Sequence, residues 1–436
     1  MRYQLDLLEP SHDGTVENDQ TSHAPIVLLA GSSSSLKQDS RLYLNVSHPF
    51  STFICGSQGS GQSHTLSCIL ENCRIPSRAG RVPSPLTGLV FHYVTFIGDT
   101  VESPCEAAFL SSHPDVQVRV LCSPTKVNSI RGCYSRFNIP VDVLELDQSH
   151  LNIKRIMDLM AVKQDNGEIP LYMHTGKRIL REMRITQQGT KGSFDYQTFK
   201  GRVMYSGLNR GQLGPLKQRL ETLENFTPEG QCFRAGHLTI VDLSCPCISP
   251  ETACSLFNIC LGSFLEQEQS IGRVIALDEA HKIWLVHLET LVSVVGLQRH
   301  LAARVVVSTQ EPTVSTDLLN LCSVTIVHRF TSPERLRTLQ KHLAAAAANP
   351  FTPKTKSENT SNDTGELSTD QNLSSLFDNV VQLGVGEALL FAPSAIVRAS
   401  VGQDGRVEFH PLGSEFLPIK VRARLTSDGG KSVLSL

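Results

Sequence analysis

Three glycines within six residues, Gly56, Gly59 and Gly61, lie between an apolar run and a helical pattern, and this stretch narrows the fold most. Phe50-Ser-Thr-Phe-Ile-Cys55 reads as a short buried strand, and His64-Thr-Leu-Ser-Cys-Ile-Leu70 carries apolar residues at helical spacing. Glycine has no Cβ, so a glycine-rich backbone can adopt positive φ and turn its N–H groups towards an anion. Residues 56–63 read Gly-Ser-Gln-Gly-Ser-Gly-Gln-Ser and match the pattern G-x-x-x-x-G-K-[ST] at Gly56, Gly61 and Ser63. Strand, glycine loop and helix is the context which that phosphate-cradling motif requires. Gly56, Ser57, Gln58, Gly59, Ser60, Gly61, Gln62, Ser63 and His64 are therefore the candidate phosphate-binding residues, and the Ser63 hydroxyl is a candidate Mg²⁺ ligand. The lysine position holds Gln62. A plain Gly/Ser-rich surface turn is the competing reading.

Two later segments weigh against the plain turn. Gly272-Arg-Val-Ile-Ala-Leu-Asp-Glu-Ala-His281 is an apolar run ending in adjacent acids, a Walker B pattern. Asp278 is placed to hold Mg²⁺ and Glu279 to polarise an attacking water, which is most of what phosphoryl transfer asks of a protein. Arg304-Val-Val-Val-Ser-Thr-Gln310 reads as another strand, ending in a polar residue that could sense a γ-phosphate. Either segment alone is weak: apolar strands often end in an acid, and Gln310 could simply start the Glu311-Pro312 turn. Asp278-Glu-Ala-His281 also spells a DEAH box, but the further helicase motifs that box needs are not evident, and 215 positions separate it from Ser63.

In combination these segments resemble the HerA/FtsK superfamily of P-loop ATPases. The resemblance rests on Arg41-Leu-Tyr-Leu before the loop, Val241-Asp-Leu-Ser244, Ser308-Thr-Gln-Glu-Pro312, Asp317 to Asn320, Val327-His-Arg-Phe330, and Leu383-Gly-Val-Gly-Glu-Ala-Leu-Leu390. The pattern is also similar to that of fungal P-loop ATPase-like proteins. The resemblance implies a RecA-like (ASCE) α/β fold with a central, mostly parallel sheet and helices on both faces. It also implies ATP and Mg²⁺ as ligands, ATP hydrolysis coupled to a macromolecular partner, and assembly into a homo-oligomeric ring. Arg299, eleven positions before Gln310, stands where that superfamily places an arginine reaching a neighbouring subunit's nucleotide.

Gln62 is the clear departure. An amide can donate hydrogen bonds to phosphate but brings no charge, and charge-assisted bonds are about twice as strong as neutral ones. Two readings follow: a working ATPase that draws a cation from His64, Lys282 or Arg299, or an impaired pseudo-ATPase acting as scaffold or nucleotide sensor.

Of the 436 residues, 40% are hydrophobic and 19% charged, enough for a packed core, and the net charge of −2 calls for no polyanionic partner. No window approaches the roughly twenty apolar residues of a membrane span. Twelve cysteines follow no disulfide or zinc-finger spacing. The N-terminus has no apolar signal core, so an intracellular site, cytoplasm or nucleus, is expected.

Along the chain, residues 1–40 read as a short strand pair (around 3–8 and 26–30) with a flexible run. Residues 41–343 read as the NTPase core with a helical insertion near 151–235, 344–374 as a disordered linker, and 375–436 as C-terminal strands. Between Lys177 and Arg219 ten lysines and arginines face only Glu182 and Asp195, with Phe194, Tyr196 and Phe199 interleaved. This basic segment makes nucleic acid a candidate partner, against the alternative of a solvated helical face.

Overall fold

The computed structural model describes residues 26–32, 41–76, 84–94, 103–146, 153, 155–156, 171–190, 194–224, 226, 233–267, 272–282, 289–311, 316–342, 369–401 and 406–429. Among the described residues fourteen strands run in chain order: β1 Ile26–Ser32, β2 Arg41–Asn45, β3 Ser51–Cys55, β4 Thr87–His92, β5 Val118–Cys122, β6 Val141–Val143, β7 Leu238–Asp242, β8 Arg273–Leu277, β9 Ala303–Thr309, β10 Val324–His328, β11 Glu387–Phe391, β12 Ile396–Val401, β13 Val407–Pro411 and β14 Leu417–Val421. Twelve form one sheet in the order β2-β1-β14-β11-β10-β3-β9-β8-β4-β7-β5-β6, and β12 pairs with β13 as a separate hairpin.

From β10 to β6 all neighbours are parallel, whereas β11, β14, β1 and β2 extend the sheet antiparallel. The parallel strands read as continuous apolar runs because both faces are covered. Successive side chains point to opposite faces. Phe53, Leu89, Phe91, Val305 and Val307 enter one core, and Ile54, Val90, Ala276 and Val306 enter the other. The helix Pro250–Glu266 packs on the first face through Leu256, Phe257 and Phe264, and the helix Gln62–Arg74 packs on the second through Leu66, Ile69 and Leu70.

The strand order has a direct consequence for the site. β9 lies between β3 and β8, so the end of β9 falls between the glycine loop after β3 and the acid pair after β8. All three ends lie at the carboxyl edge of a parallel sheet, where open α/β sheets bind ligands.

The insertion contributes helices Leu171–Thr190, Tyr196–Met204 and Arg210–Glu224, whose Met183, Phe199, Leu216 and Leu220 join the first core. The basic segment is less bare than its composition implies. Arg178 pairs with Glu182, Lys200 with Glu224 and Lys217 with Glu221, and the last two acids lie just beyond the basic run. Tyr196 and Phe199 are buried and Phe194 is half-buried against Phe199, so these aromatics are core residues and no stacking surface. The expected strand at 3–8 and most of the expected linker lie outside the described residues, but 369–374 open the helix Thr369–Gln382.

The C-terminal segment docks on the loop's own helix. Glu71 is fully buried and accepts hydrogen bonds from the Arg422 guanidinium at 2.7 Å, the Leu425 and Thr426 N–H groups at 3.0 Å, and the Thr426 hydroxyl at 2.6 Å. Burial pushes the Glu71 carboxyl up, but the bonds from Thr426, Leu425 and Arg422 outweigh it and hold the group below its ordinary value of 4.5. A depressed acid stabilises the fold above its unfolded pKa, and that contribution is lost as pH falls through the folded value. Replacing Glu71 with Gln strands buried arginines, which costs about 3–5 kcal/mol in comparable buried pairs. Glu71→Gln is expected to lower the denaturant midpoint accordingly and to expose the segment after Val421 to protease. A loss within about 0.5 kcal/mol, the range of ordinary surface changes, would remove the latch.

Candidate functional site

The loop is built around a buried imidazole. Gly61 has φ of +114°, and a Cβ there would lie 3.1 Å from Gly386 and 3.4 Å from the His328 ring. At Gly56 a Cβ would lie 2.7 Å from His328, so both motif glycines are required by close packing. His328 Nδ1 bonds the Glu387 carbonyl at 2.9 Å and Nε2 bonds the Thr65 hydroxyl at 2.9 Å. A carbonyl only accepts, so Nδ1 carries the proton and the neutral ring's Nε2 takes the hydroxyl proton. The Ser57 N–H and hydroxyl donate to the Arg329 carbonyl, and the Gly386 N–H donates to the Ser60 carbonyl. The loop is thus fastened to β10 and to the turn before β11.

The helix Gln62–Arg74 starts directly at Gly61, so its partial positive end faces the site. The Gln62 side chain does not take over the absent lysine's role: its amide nitrogen donates to the Thr309 carbonyl at 2.5 Å. That bond ties the loop helix to β9.

Glu279 adopts φ of +53°, a conformation that costs a non-glycine residue about 1–2 kcal/mol and is concentrated at functional sites. Its carboxylate accepts from Gln310 Nε2 at 3.1 and 3.2 Å and lies 3.5 Å from His281 Nε2. The two residues expected to activate water and to sense phosphate therefore meet directly.

A cleft of about 590 Å³, within the size range of small-ligand pockets, is lined by Gln58, Gly59, Gly61, Gln62, Ser63 and His64 on one side. Glu279 and Gln310 line it as well, and Val385, Gly386, Lys420 and Arg422 complete the lining. Asp278 does not line the cleft. It is buried behind Glu279, with Oδ2 3.6 Å from His92 Nδ1 and Oδ1 without a hydrogen-bond partner. Arg299 is exposed on the turn after the helix Glu289–Gly296 and lies outside its own chain's cleft. Gly56, Ser57 and Ser60 brace the loop from behind. The donor set fits a magnesium ion: the Ser63 hydroxyl faces the cleft and Asp278 Oδ1 is an orphaned buried carboxylate oxygen, both hard oxygen ligands.

Three cations not singled out by any sequence motif line or flank this space. Arg422 is committed to Glu71, Asn72 and nearby carbonyls, and Arg424 to Glu106. Lys420 is exposed in the cleft wall and has no hydrogen-bond or ion-pair partner among the described residues. His64 bonds the Arg422 carbonyl at 2.8 Å and lies 3.8 Å from Asp428.

His328 supplies a pH signature. Burial, the largest influence, drives its pKa down to about 4. Between about 4 and the ordinary 6.5 the unfolded chain binds a proton that the folded chain refuses, so stability falls with acidification across that window. The single-site slope approaches about 1.4 kcal/mol per pH unit. Denaturant titrations from pH 7 to 4 are expected to show this decline, and His328→Gln to flatten it while lowering stability at pH 7. An unchanged slope in the variant would contradict the buried neutral ring.

No family model matches the chain, and no curated protein matches it in sequence. Solved structures do. VirB4 of Thermoanaerobacter pseudethanolicus superposes with a TM-score of 0.56 at 11% identity, covering 94% of this chain and 99% of that one. The bacterial conjugative coupling protein TrwBΔN70, in its trigonal form with sulphate, aligns over 95% of this chain and 99% of its own at 13% identity and a TM-score of 0.46. The genome packaging NTPase B204 of Sulfolobus turreted icosahedral virus 2, in complex with ATP-gammaS, covers 83% of this chain and 96% of its own at 7% identity and a TM-score of 0.32. The superposition shows that this chain shares the fold of VirB4, a mostly parallel sheet with the glycine loop and the acid pair at the carboxyl ends of its strands.

Proposed function

We propose that the cleft binds ATP and that the protein hydrolyses it. The observation that carries this reading is the convergence of the glycine loop, Ser63, Glu279 and Gln310 on one cleft from three separate strands. Backbone N–H groups of the cleft-lining residues Gln58, Gly59 and Gly61 to Ser63, at the helix N-terminus, hold the phosphates. Glu279, held and oriented by Gln310, takes the proton of the attacking water. Magnesium, when bound, neutralises charge on the phosphate oxygens, and Ser63 and Asp278 are the residues that would hold it.

Lys420 supplies the charge that Gln62 lacks. It enters from β14 rather than from the loop and is the cleft-lining cation without a partner among the described residues. A hydrogen bond to a charged group contributes about 1.5–3 kcal/mol, so losing it weakens binding about tenfold to a hundredfold.

The competing reading is a nucleotide sensor without turnover, favoured by the commitment of the Gln62 amide to Thr309. Arg299 is exposed and would act only on a neighbouring copy's cleft, in a ring. The exposed Arg178, Arg181 and Arg184, on one helix, are the part of the basic segment best placed to meet a macromolecular partner such as nucleic acid.

The test is ATP affinity by calorimetry alongside phosphate release, on native protein and three variants. Lys420→Ala is expected to bind about tenfold to a hundredfold more weakly. Glu279→Gln is expected to keep affinity and lose turnover by about a hundredfold or more. Binding without native turnover, with turnover appearing in Gln62→Lys, would select the sensor. No binding by native protein at millimolar ATP would refute both readings.

A further inference from the structure

Behind the cleft Asp278 shares a buried polar cluster with two side chains, His92 and Cys105, that the proposed hydrolysis does not use. His92 ends β4, Asp278 follows β8 next to it, and Cys105 opens the 3₁₀ helix Glu106–Ser112. All three side chains are buried, and one ligand atom from each lies within 4.8 Å of the others. The Cys105 sulfur is 4.0 Å from Asp278 Oδ2, and His92 Nδ1 is 3.6 Å from the same oxygen. Both ring nitrogens of His92 and Oδ1 of Asp278 lack a hydrogen-bond partner. Unmet buried polar groups cost about 1–3 kcal/mol each, so three in one cluster call for an occupant.

We propose that His92, Cys105 and Asp278 bind one thiophilic divalent cation, with zinc as the fitting ion. Bonds of about 2.0–2.3 Å in a tetrahedral site place ligand atoms about 3.3–3.7 Å apart, so the two pairs to Asp278, at 4.0 and 3.6 Å, are already near that spacing, and no pair, all being within 4.8 Å, need close by more than about 1.5 Å. Sulfur with imidazole selects zinc over magnesium, which keeps to oxygen ligands in an octahedral shell. Three protein ligands leave a fourth position for water. Outer contacts already hold the cysteine in place: the Cys105 N–H donates to the Tyr134 hydroxyl at 2.9 Å, and that hydroxyl donates to Asp242 at 2.7 Å. Metal binding displaces the thiol proton to solvent. The site does not depend on ATP being the ligand of the cleft. Where both are occupied they compete, because zinc takes the carboxylate of Asp278.

Cobalt(II) titration of the metal-stripped native chain tests this directly. A thiolate-to-cobalt charge-transfer band with tetrahedral visible bands, saturating at one ion per chain and reversed by zinc, is expected. Cys105→Ser should lose the charge-transfer band and bind zinc at least tenfold more weakly, with circular dichroism checking its fold. Cys247→Ser, altering the exposed neighbour of Cys245, should keep the band. Absence of a thiolate band in native protein would overturn the site even if Cys105→Ser fails to fold. A band that survives Cys105→Ser or disappears in Cys247→Ser would also overturn it. Neither readout involves ATP, so failure here is distinct from failure of the hydrolysis reading.

Discussion

The buried carboxylate of Glu71 decides whether there is a cleft at all. It sits on the third turn of the loop's own helix, without solvent, and a charge there persists only when paired and fully hydrogen-bonded. The chain meets that demand from the far end of the sequence, with Arg422, Leu425 and Thr426. The same segment carries Lys420, Val421 and Arg422 into the cleft wall. Electrostatic satisfaction of one helix residue therefore fixes the part of the cleft wall that Lys420, Val421 and Arg422 supply. Without that pairing the loop would open onto solvent, where a phosphate gains least from neighbouring dipoles.

Gln62 belongs to the frame of this site and not to its charge. In the sequence motif one lysine both anchors the loop helix and meets the phosphates. Here the anchoring falls to an uncharged amide bound to Thr309 on β9, while the cationic side chains of the cleft come from the C-terminal segment. The two tasks have different requirements. Anchoring needs a donor at hydrogen-bond distance, which an amide supplies; neutralisation needs a charge that is free to move onto the ligand. Arg422 cannot serve, because its guanidinium is spread over Glu71, Asn72 and nearby carbonyls.

The parallel core was legible because its signals are local. A glycine triplet between a strand and a helix, and acids or amides at strand ends, are set by residues a few positions apart, and Gly61, Ser63, Glu279 and Gln310 do meet at one cleft. Lys420 was not legible. It lies 357 positions beyond Ser63 on a strand that pairs with β11 and β1, and nothing in its neighbours' spacing says which sheet edge they join. The basic segment is less charged than its run of residues implies for a related reason: beyond Arg219, Glu221 pairs with Lys217 across one helix turn and Glu224 pairs with Lys200 on another helix. Tyr196 and Phe199, read from sequence as interleaved with that charge, point into the core instead. Asp278 was placed at the right strand end, yet its burial against His92 depends on which strand lies beside β8, and topology alone decides that.

Asp278 shows what such a placement entails. Its Oδ2 faces His92 and Cys105, while its Oδ1 is left unpaired. Burial, the largest influence on His92, favours a neutral ring, but the acidic groups of Cys105, Asp242 and Asp278 outweigh it and raise its proton affinity. A proton on His92, the thiophilic ion proposed for this cluster and a magnesium ion held with Ser63 would all seek the same carboxylate. Because one carboxylate cannot satisfy all three fully, occupancy behind the cleft and chemistry within it are linked by competition, with no conformational change required.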